Sequence, residues 1–172
     1  MSTIATNIVV IMLHGVGSNG ADLAPLGNAW KSVLPDAVFV SPNAPAPSSF
    51  GSGYQWFSVA GVTEENRSDR IKDARAAFDK TISTIIEEHG FSDKLDRVAF
   101  VGFSQGAIMS LDAVASGRWP VGAVVGFRAV SPLRCRLHPP RLLRSCSSTA
   151  APIRSSRPPR PPRLPLPLKH SA

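Results

Sequence analysis

A chain of 172 residues with a 43% apolar content is long enough to bury a sizeable core and is expected to form one domain of ordinary globular composition. Its formal charge of +7 is unevenly spread: residues 1–127 hold all twelve acids and nine Lys and Arg, a net of −3, whereas residues 128–172 hold ten Lys and Arg, ten prolines and no acid, a net of +10. Met1 to Asn7 carries no basic run, Ile8 to Leu13 is too short for a signal core or a membrane span, and Cys135 and Cys146 lack metal-ligand spacing and a secretory context. These features argue against a leader, a membrane helix, a disulfide framework and a zinc site, and predict a cytoplasmic chain without metal or cofactor.

The continuous β-branched run Ile8 to Leu13, ending at Gly15, predicts a strand buried on both faces of a parallel sheet. Asp22 is the expected cap of a helix with Leu23, Leu26, Trp30 and Val33 on its apolar face, stopped by Pro35. Ala37 to Val40 is a short strand. Ser41 to Arg67 is a loop rich in Pro, Gly, Ser and Asn, long enough to suggest a functional segment, and Tyr54, Trp56 and Phe57 strengthen that reading. Asp69 to His89 places Ile71, Ala74, Phe78, Ile82, Ile85 and Ile86 on one helical stripe with Gly90 as the stop. Arg97 to Phe103 predicts a buried strand, Gln105 to Ser116 a helix closed by Gly117, and Val121 to Phe127 another strand. The alternation argues for an α/β domain around a parallel sheet. No sustained apolar period follows Phe127. Residues 1–127 are therefore expected to be the folded part and residues 128–172 a basic Pro/Arg-rich segment without stable order.

The chemistry is read at two strand ends. Gly102-Phe103-Ser104-Gln105-Gly106 is a Gly-x-Ser-x-Gly between a predicted strand and a predicted helix, the setting of a nucleophile elbow in which a strained turn lifts the serine hydroxyl above the sheet. The flanking glycines are required because a side chain at either would crowd the neighbouring strand or helix. Leu13-His14-Gly15-Val16-Gly17 closes the first strand where this architecture places an oxyanion donor, so the Val16 N–H is the candidate, with the Gln105 N–H as its partner. His14 precedes the nucleophile, whereas the base of this fold follows it, so His14 reads as a residue that orders the turn.

Residues 13–22, Gln55-Trp56-Phe57 and Val101-Gly102-Phe103-Ser104-Gln105-Gly106-Ala107-Ile108-Met109-Ser110 together resemble the phospholipase/carboxylesterase family of α/β-hydrolases, the group of the acyl-protein thioesterases. The resemblance covers about residues 7–127. It implies an α/β-hydrolase fold and hydrolysis of small-molecule carboxylic esters or thioesters by a Ser-His-Asp triad. It further implies Ser104 as nucleophile, Val16 and Gln105 as oxyanion donors, and Trp56 near the acyl pocket; a loop tryptophan of this kind equally often belongs to a core.

The departure from the family is in the last third. No acid follows Asp112, and Asp112 lies within the helix eight residues past Ser104, facing away from the mouth of the sheet. His138 and His170 have no carboxylate to orient them, as a triad requires. Codon arithmetic offers a reason. Phe127 to Pro132 written as TTC CGG GCC GTC TCG CCG, with one T inserted after TTC, reads Phe-Ser-Gly-Arg-Leu-Ala, which resembles the family's continuation of this strand. In the same shifted frame Arg144 to Arg157 reads Pro-Val-Leu-Leu-Ile-His-Gly-Gly-Ala-Asp-Pro-Val-Ile-Pro, which resembles the strand that bears the catalytic Asp. The chosen wobble bases set only the first base of each recovered codon. Residues 128–172 are thus expected to be a frameshifted translation, leaving the C-terminal part of the fold, with its Asp and His, missing and hydrolysis impaired. The alternative is a non-catalytic α/β body whose basic tail binds nucleic acid through phosphates or partner domains through polyproline segments; clustered Arg without interleaved aromatics weighs against nucleic acid.

Overall fold

The computed structural model describes residues 8–127. The expectations for residues 128–172, including His138, His170 and both cysteines, fall outside the described residues. Six strands and three helices follow in the order β1 (Ile8–Leu13), α1 (Ala24–Trp30), β2 (Ala37–Val40), β3 (Ala46–Pro47), β4 (Tyr54–Gln55), α2 (Arg67–Glu88), β5 (Val98–Phe103), α3 (Gln105–Ala115) and β6 (Ala123–Phe127), with short 3-10 turns at Gly20–Leu23 and Leu95–Arg97. β2, β1, β5 and β6 form one parallel sheet in that spatial order, and β3 and β4 form a small antiparallel ribbon.

The alternating residues of β1 explain why it sits at the centre. Val9, Ile11 and Leu13 face a core that includes Phe78, Ile82, Ile85 and Ile86 of α2, Met109 and Ala113 of α3, and Phe100 of β5. Val10 and Met12 face the other side with Val101, where Leu23, Leu26, Trp30 and Phe39 cover them. A strand buried on both faces has no room for a polar side chain, hence the unbroken apolar run. The apolar stripe of α2 is as expected, with Phe78 edge-on to both Trp56 and Phe100.

Local bounds differ from the sequence reading for identifiable reasons. The chain enters α1 through a 3-10 turn capped by Asn19, whose side chain accepts from the Asp22 N–H while Asp22 accepts from the Asn19 N–H; Asp22 is the third residue of a capping box rather than the cap. α1 stops at Trp30, where Val33 and Leu34 both turn back to the Trp30 carbonyl, because a residue preceding proline disfavours the helical region. Val33 is therefore exposed rather than on the apolar face. α2 begins two residues earlier than expected, at Arg67. β6 begins at Ala123 because the Gly122 N–H is drawn to the Leu95 and Val98 carbonyls, and a Cβ at Gly122 would fall on the Asp96 carbonyl. β6 has one partner strand among the described residues, and its Val125 and Phe127 are 46% and 43% exposed.

Asp112 faces away from the sheet mouth and closes an ion network. Its carboxylate accepts from Arg75 Nε and Nη2 at 2.9 and 2.7 Å and from Arg118 Nη2 at 2.8 Å, while Arg118 also pairs with Asp79, which accepts from Trp119 Nε1. The Asp112 hydrogen bond, against some desolvation, raises the Arg75 guanidinium above its already high ordinary value. Asp112 is 2% exposed, and truncating it leaves Arg75 without its ion pair and Arg118 with Asp79 alone. Asp112→Ala is expected to cost about 1–3 kcal/mol in a urea titration, since the two arginines it leaves are partly solvated. A loss within the ~0.5 kcal/mol of an ordinary surface change would contradict this role.

Candidate active site

Ser104 sits between β5 and α3 at φ 49° and ψ −110°, and it is the one non-glycine residue at positive φ among the described residues. That conformation is costly for a residue with a side chain and is kept only where surrounding packing enforces it. The packing is visible at both flanking glycines. A Cβ at Gly102 would fall on the Ala107 backbone, and one at Gly106 would fall on the Leu13 carbonyl and within 2.8 Å of the His14 carbonyl oxygen. The helix can therefore press against β5 and the end of β1 only because both positions lack side chains. The Ser104 N–H donates to the Phe127 carbonyl at 2.9 Å, extending the β5–β6 ladder, and its carbonyl accepts from the Ile108 N–H at 3.1 Å as the first bond of α3. The side chain is exposed, at the positive end of the helix, where charge developing on an attacked carbonyl oxygen is favoured.

The loop after β1 comes to meet it. A Cβ at Gly15 would lie 3.3 Å from Ser104 Cβ, so this backbone passes directly beside the serine. His14 is fully buried; its Nε2 accepts from the Ala44 N–H at 3.0 Å, which fixes the proton on Nδ1, and Nδ1–H donates to the Gly15 carbonyl at 2.7 Å. Both nitrogens are thereby used in ordering the loop, as the sequence suggested. The Gly17 N–H donates to the Tyr54 carbonyl and the Tyr54 N–H to Ser18. Beyond the loop, the Ser18 hydroxyl, then the Asn19 N–H, holds the Asp22 carboxyl below its ordinary value, so this bond persists at neutral pH and is lost only as acid protonates the carboxylate.

The two neighbourhoods are tied together by the Gln105 side chain. Its Oε1 accepts from the Trp56 N–H and its Nε2 donates to the Phe57 carbonyl, both at 2.7 Å, while Trp56 Nε1 donates to the His14 carbonyl at 3.0 Å. The residue after the serine is thus linked through Trp56 to the residue two before Val16. Sequence reading named Gln105 for its N–H alone. The buried amide side chain could not be located without knowing that residues 56 and 57 lie against it.

A cavity of about 330 Å³ opens beside the serine, lined by Val16, Phe57, Val59, Val62, Arg67, Ser104, Gln105 and Ile108. Ser104, Val16 and Gln105 are therefore brought together. Trp56 is not on this wall: it is 2% exposed, packed on Phe78 and His14, and its neighbour Phe57 reaches the cavity instead. Ile108 lies one helical turn past Ser104, a spacing from which it could have been named. Val59, Val62 and Arg67 reach the cavity only through the path of the long loop, which carries no periodic signal. Among the described residues no group of three or more His, Cys, Asp or Glu is placed to hold a metal ion, and no helix is long and apolar enough to cross a membrane.

Comparison with known proteins gives the same picture. The phospholipase/carboxylesterase family profile matches residues 3–145, reaching past the residues 7–127 over which the motifs carry the likeness. The chain is 34% identical over 119 residues to esterase YpfH of Escherichia coli K12, covering 69% of this chain and 50% of that one. It is 30% identical over 129 residues to acyl-protein thioesterase 1 of Emericella nidulans, covering 68% and 54%. The chain spans about half the length of these curated relatives. The crystal structure of esterase PE8 superposes with a TM-score of 0.56 at 34% identity, covering 62% of this chain and 50% of that one. A Bacillus cereus carboxylesterase superposes with a TM-score of 0.60 at 18% identity over 76% and 57%, a likeness of fold. By fold, by motif and by profile, the chain belongs to the phospholipase/carboxylesterase family of α/β-hydrolases.

Proposed function

We propose that this chain is the nucleophile-bearing part of a serine hydrolase of carboxylic esters or thioesters, and that its own activity is impaired. The observation that carries this is the strained, exposed Ser104 between two glycines that admit no side chain. In the proposed reaction Ser104 Oγ attacks the carbonyl carbon as its proton leaves to a base. The oxyanion is held by the N–H groups of Val16 and Gln105. Collapse of the tetrahedral species breaks the bond to the alcohol or thiol, and water then releases the acid from the serine in a second cycle.

The base is what the described residues do not supply. His14 has both nitrogens engaged, and His89 caps the C-terminus of α2, whose chain leads on to the start of β5 while Ser104 follows its end. Asp112 is committed to Arg75 and Arg118. We attribute the deficit to a one-base frameshift after the codon for Phe127. Sequencing the gene across the codon for Arg128 should reveal the missing base; an intact reading frame there would refute that origin.

Removing the members of a triad together leaves roughly 10³–10⁴-fold catalysis over water from binding and the oxyanion hole. The chain of this sequence should hydrolyse 4-nitrophenyl butyrate at about that feeble level, with little change on Ser104→Ala, because the serine contributes only together with its base. Turnover at the rate of a complete esterase would overturn the impairment, and full activity of Ser104→Ala in a frame-restored protein would overturn the nucleophile.

The Gln105 side chain supports the same reading as a positioning group. Gln105→Ala leaves the Trp56 N–H and Phe57 carbonyl buried without partners, at roughly 1–3 kcal/mol each. Urea unfolding should register that loss, and Gln105→Glu, which sets a buried carboxylate against the Phe57 carbonyl, should lose at least as much. Equal stability of the three proteins would show that the link carries no energy.

A further inference from the structure

Arg67 has no structural task that explains its place. It is the first residue of α2, the end of a helix where the dipole disfavours a cation. Other arginines of the neighbourhood have partners: Arg70 donates to the Ala60 carbonyl, Arg75 and Arg118 hold Asp112, and Arg118 also holds Asp79. Arg67 makes no ion pair with any described residue, although the exposed Glu64 and Glu65 precede it by three and two positions. It is half-buried on the wall of the cavity beside Ser104, where the other lining side chains are Val16, Phe57, Val59, Val62 and Ile108, with Gln105 already spent on Trp56 and Phe57.

We propose that Arg67 is a specificity residue that selects esters or thioesters carrying a carboxylate a short apolar chain away from the scissile carbonyl. This rests on Ser104 being the nucleophile, and it adds the substrate class. The apolar wall accommodates the methylenes, and a partly desolvated guanidinium offers a fork that matches a carboxylate in two hydrogen bonds. A neutral acyl chain of the same length would leave the guanidinium with water alone. The cavity fixes the presence of the anion and leaves open whether it rides on the acyl or the alcohol side, which substrates can decide.

The test compares charge at constant shape, using the chain of this sequence. On the acyl side the pair is mono-4-nitrophenyl adipate against 4-nitrophenyl methyl adipate; on the alcohol side it is 4-butanoyloxybenzoate against its methyl ester. In at least one pair the charged ester should be cleaved with about tenfold higher kcat/KM, the preference falling as salt is raised. Arg67→Gln should bring the pair to parity and Arg67→Glu should reverse it. No preference in either pair, or one that survives Arg67→Gln, would overturn the proposal while leaving Ser104 as nucleophile intact. Should turnover of both pairs be too feeble to compare, the nucleophile reading is decided separately, by Ser104→Ala in the frame-restored protein. Arg67 is then decided by NMR titration: monomethyl adipate should bind more tightly than dimethyl adipate in the parent and equally in Arg67→Gln, and equal binding in the parent would overturn the proposal.

Discussion

The close approach of α3 to the ends of β1 and β5 is the constraint on which the rest of this molecule depends. It is possible only because Gly102 and Gly106 present bare backbone to Ala107, Leu13 and His14. With the helix that near, the connection from β5 has no extended or helical path available, and Ser104 is forced into positive φ. The strain, of order 1–3 kcal/mol for such a residue, is balanced by the core beneath it: Val9, Ile11, Leu13, Phe78, Phe100 and Met109 bury their side chains only if sheet and helices keep this spacing. Each buried side chain of this size contributes roughly 1.5–3 kcal/mol, so several of them outweigh the turn.

The same approach makes the site a product of three distant segments. Residues 13–18, 55–57 and 104–108 meet, and they are held by hydrogen bonds that run through buried side chains: His14 to Ala44, Trp56 to His14, Gln105 to Trp56 and Phe57. None of these bonds requires an acid or a base. The site's shape can therefore be set within residues 8–127, while the proposed proton transfer would depend on groups those residues do not provide.

How much of this was legible in the sequence follows from what each signal depends on. The strand at Ile8–Leu13 and the stripe of α2 are set by local apolar period, and both appear with the expected residues inside. The elbow was legible because its two glycines answer to sterics within five residues. The start of α1 was misplaced by reading Asp22 as the cap when the reciprocal bond with Asn19 makes it the third position, a distinction of side-chain direction that composition does not carry. Trp56 reads in sequence as an aromatic of the acyl pocket or, equally, of a core, and its indole N–H finds the His14 carbonyl and its ring finds Phe78, contacts of 42 and 22 residues' separation. Arg67 and the cavity wall it shares with Val59 and Val62 were invisible for the same reason.

The account's central claim, a correctly built nucleophile and oxyanion loop awaiting an acid and a histidine, is tested most directly by restoring one base after the codon for Phe127 in DNA that extends to the family's histidine. The quantity to measure is kcat/KM for 4-nitrophenyl butyrate in the restored protein, its Ser104→Ala variant and the present chain. The account predicts a gain on the order of 10³ or more over the present chain, abolished by Ser104→Ala. A restored protein no faster than the present chain, or one that stays fast without the Ser104 hydroxyl, would contradict it.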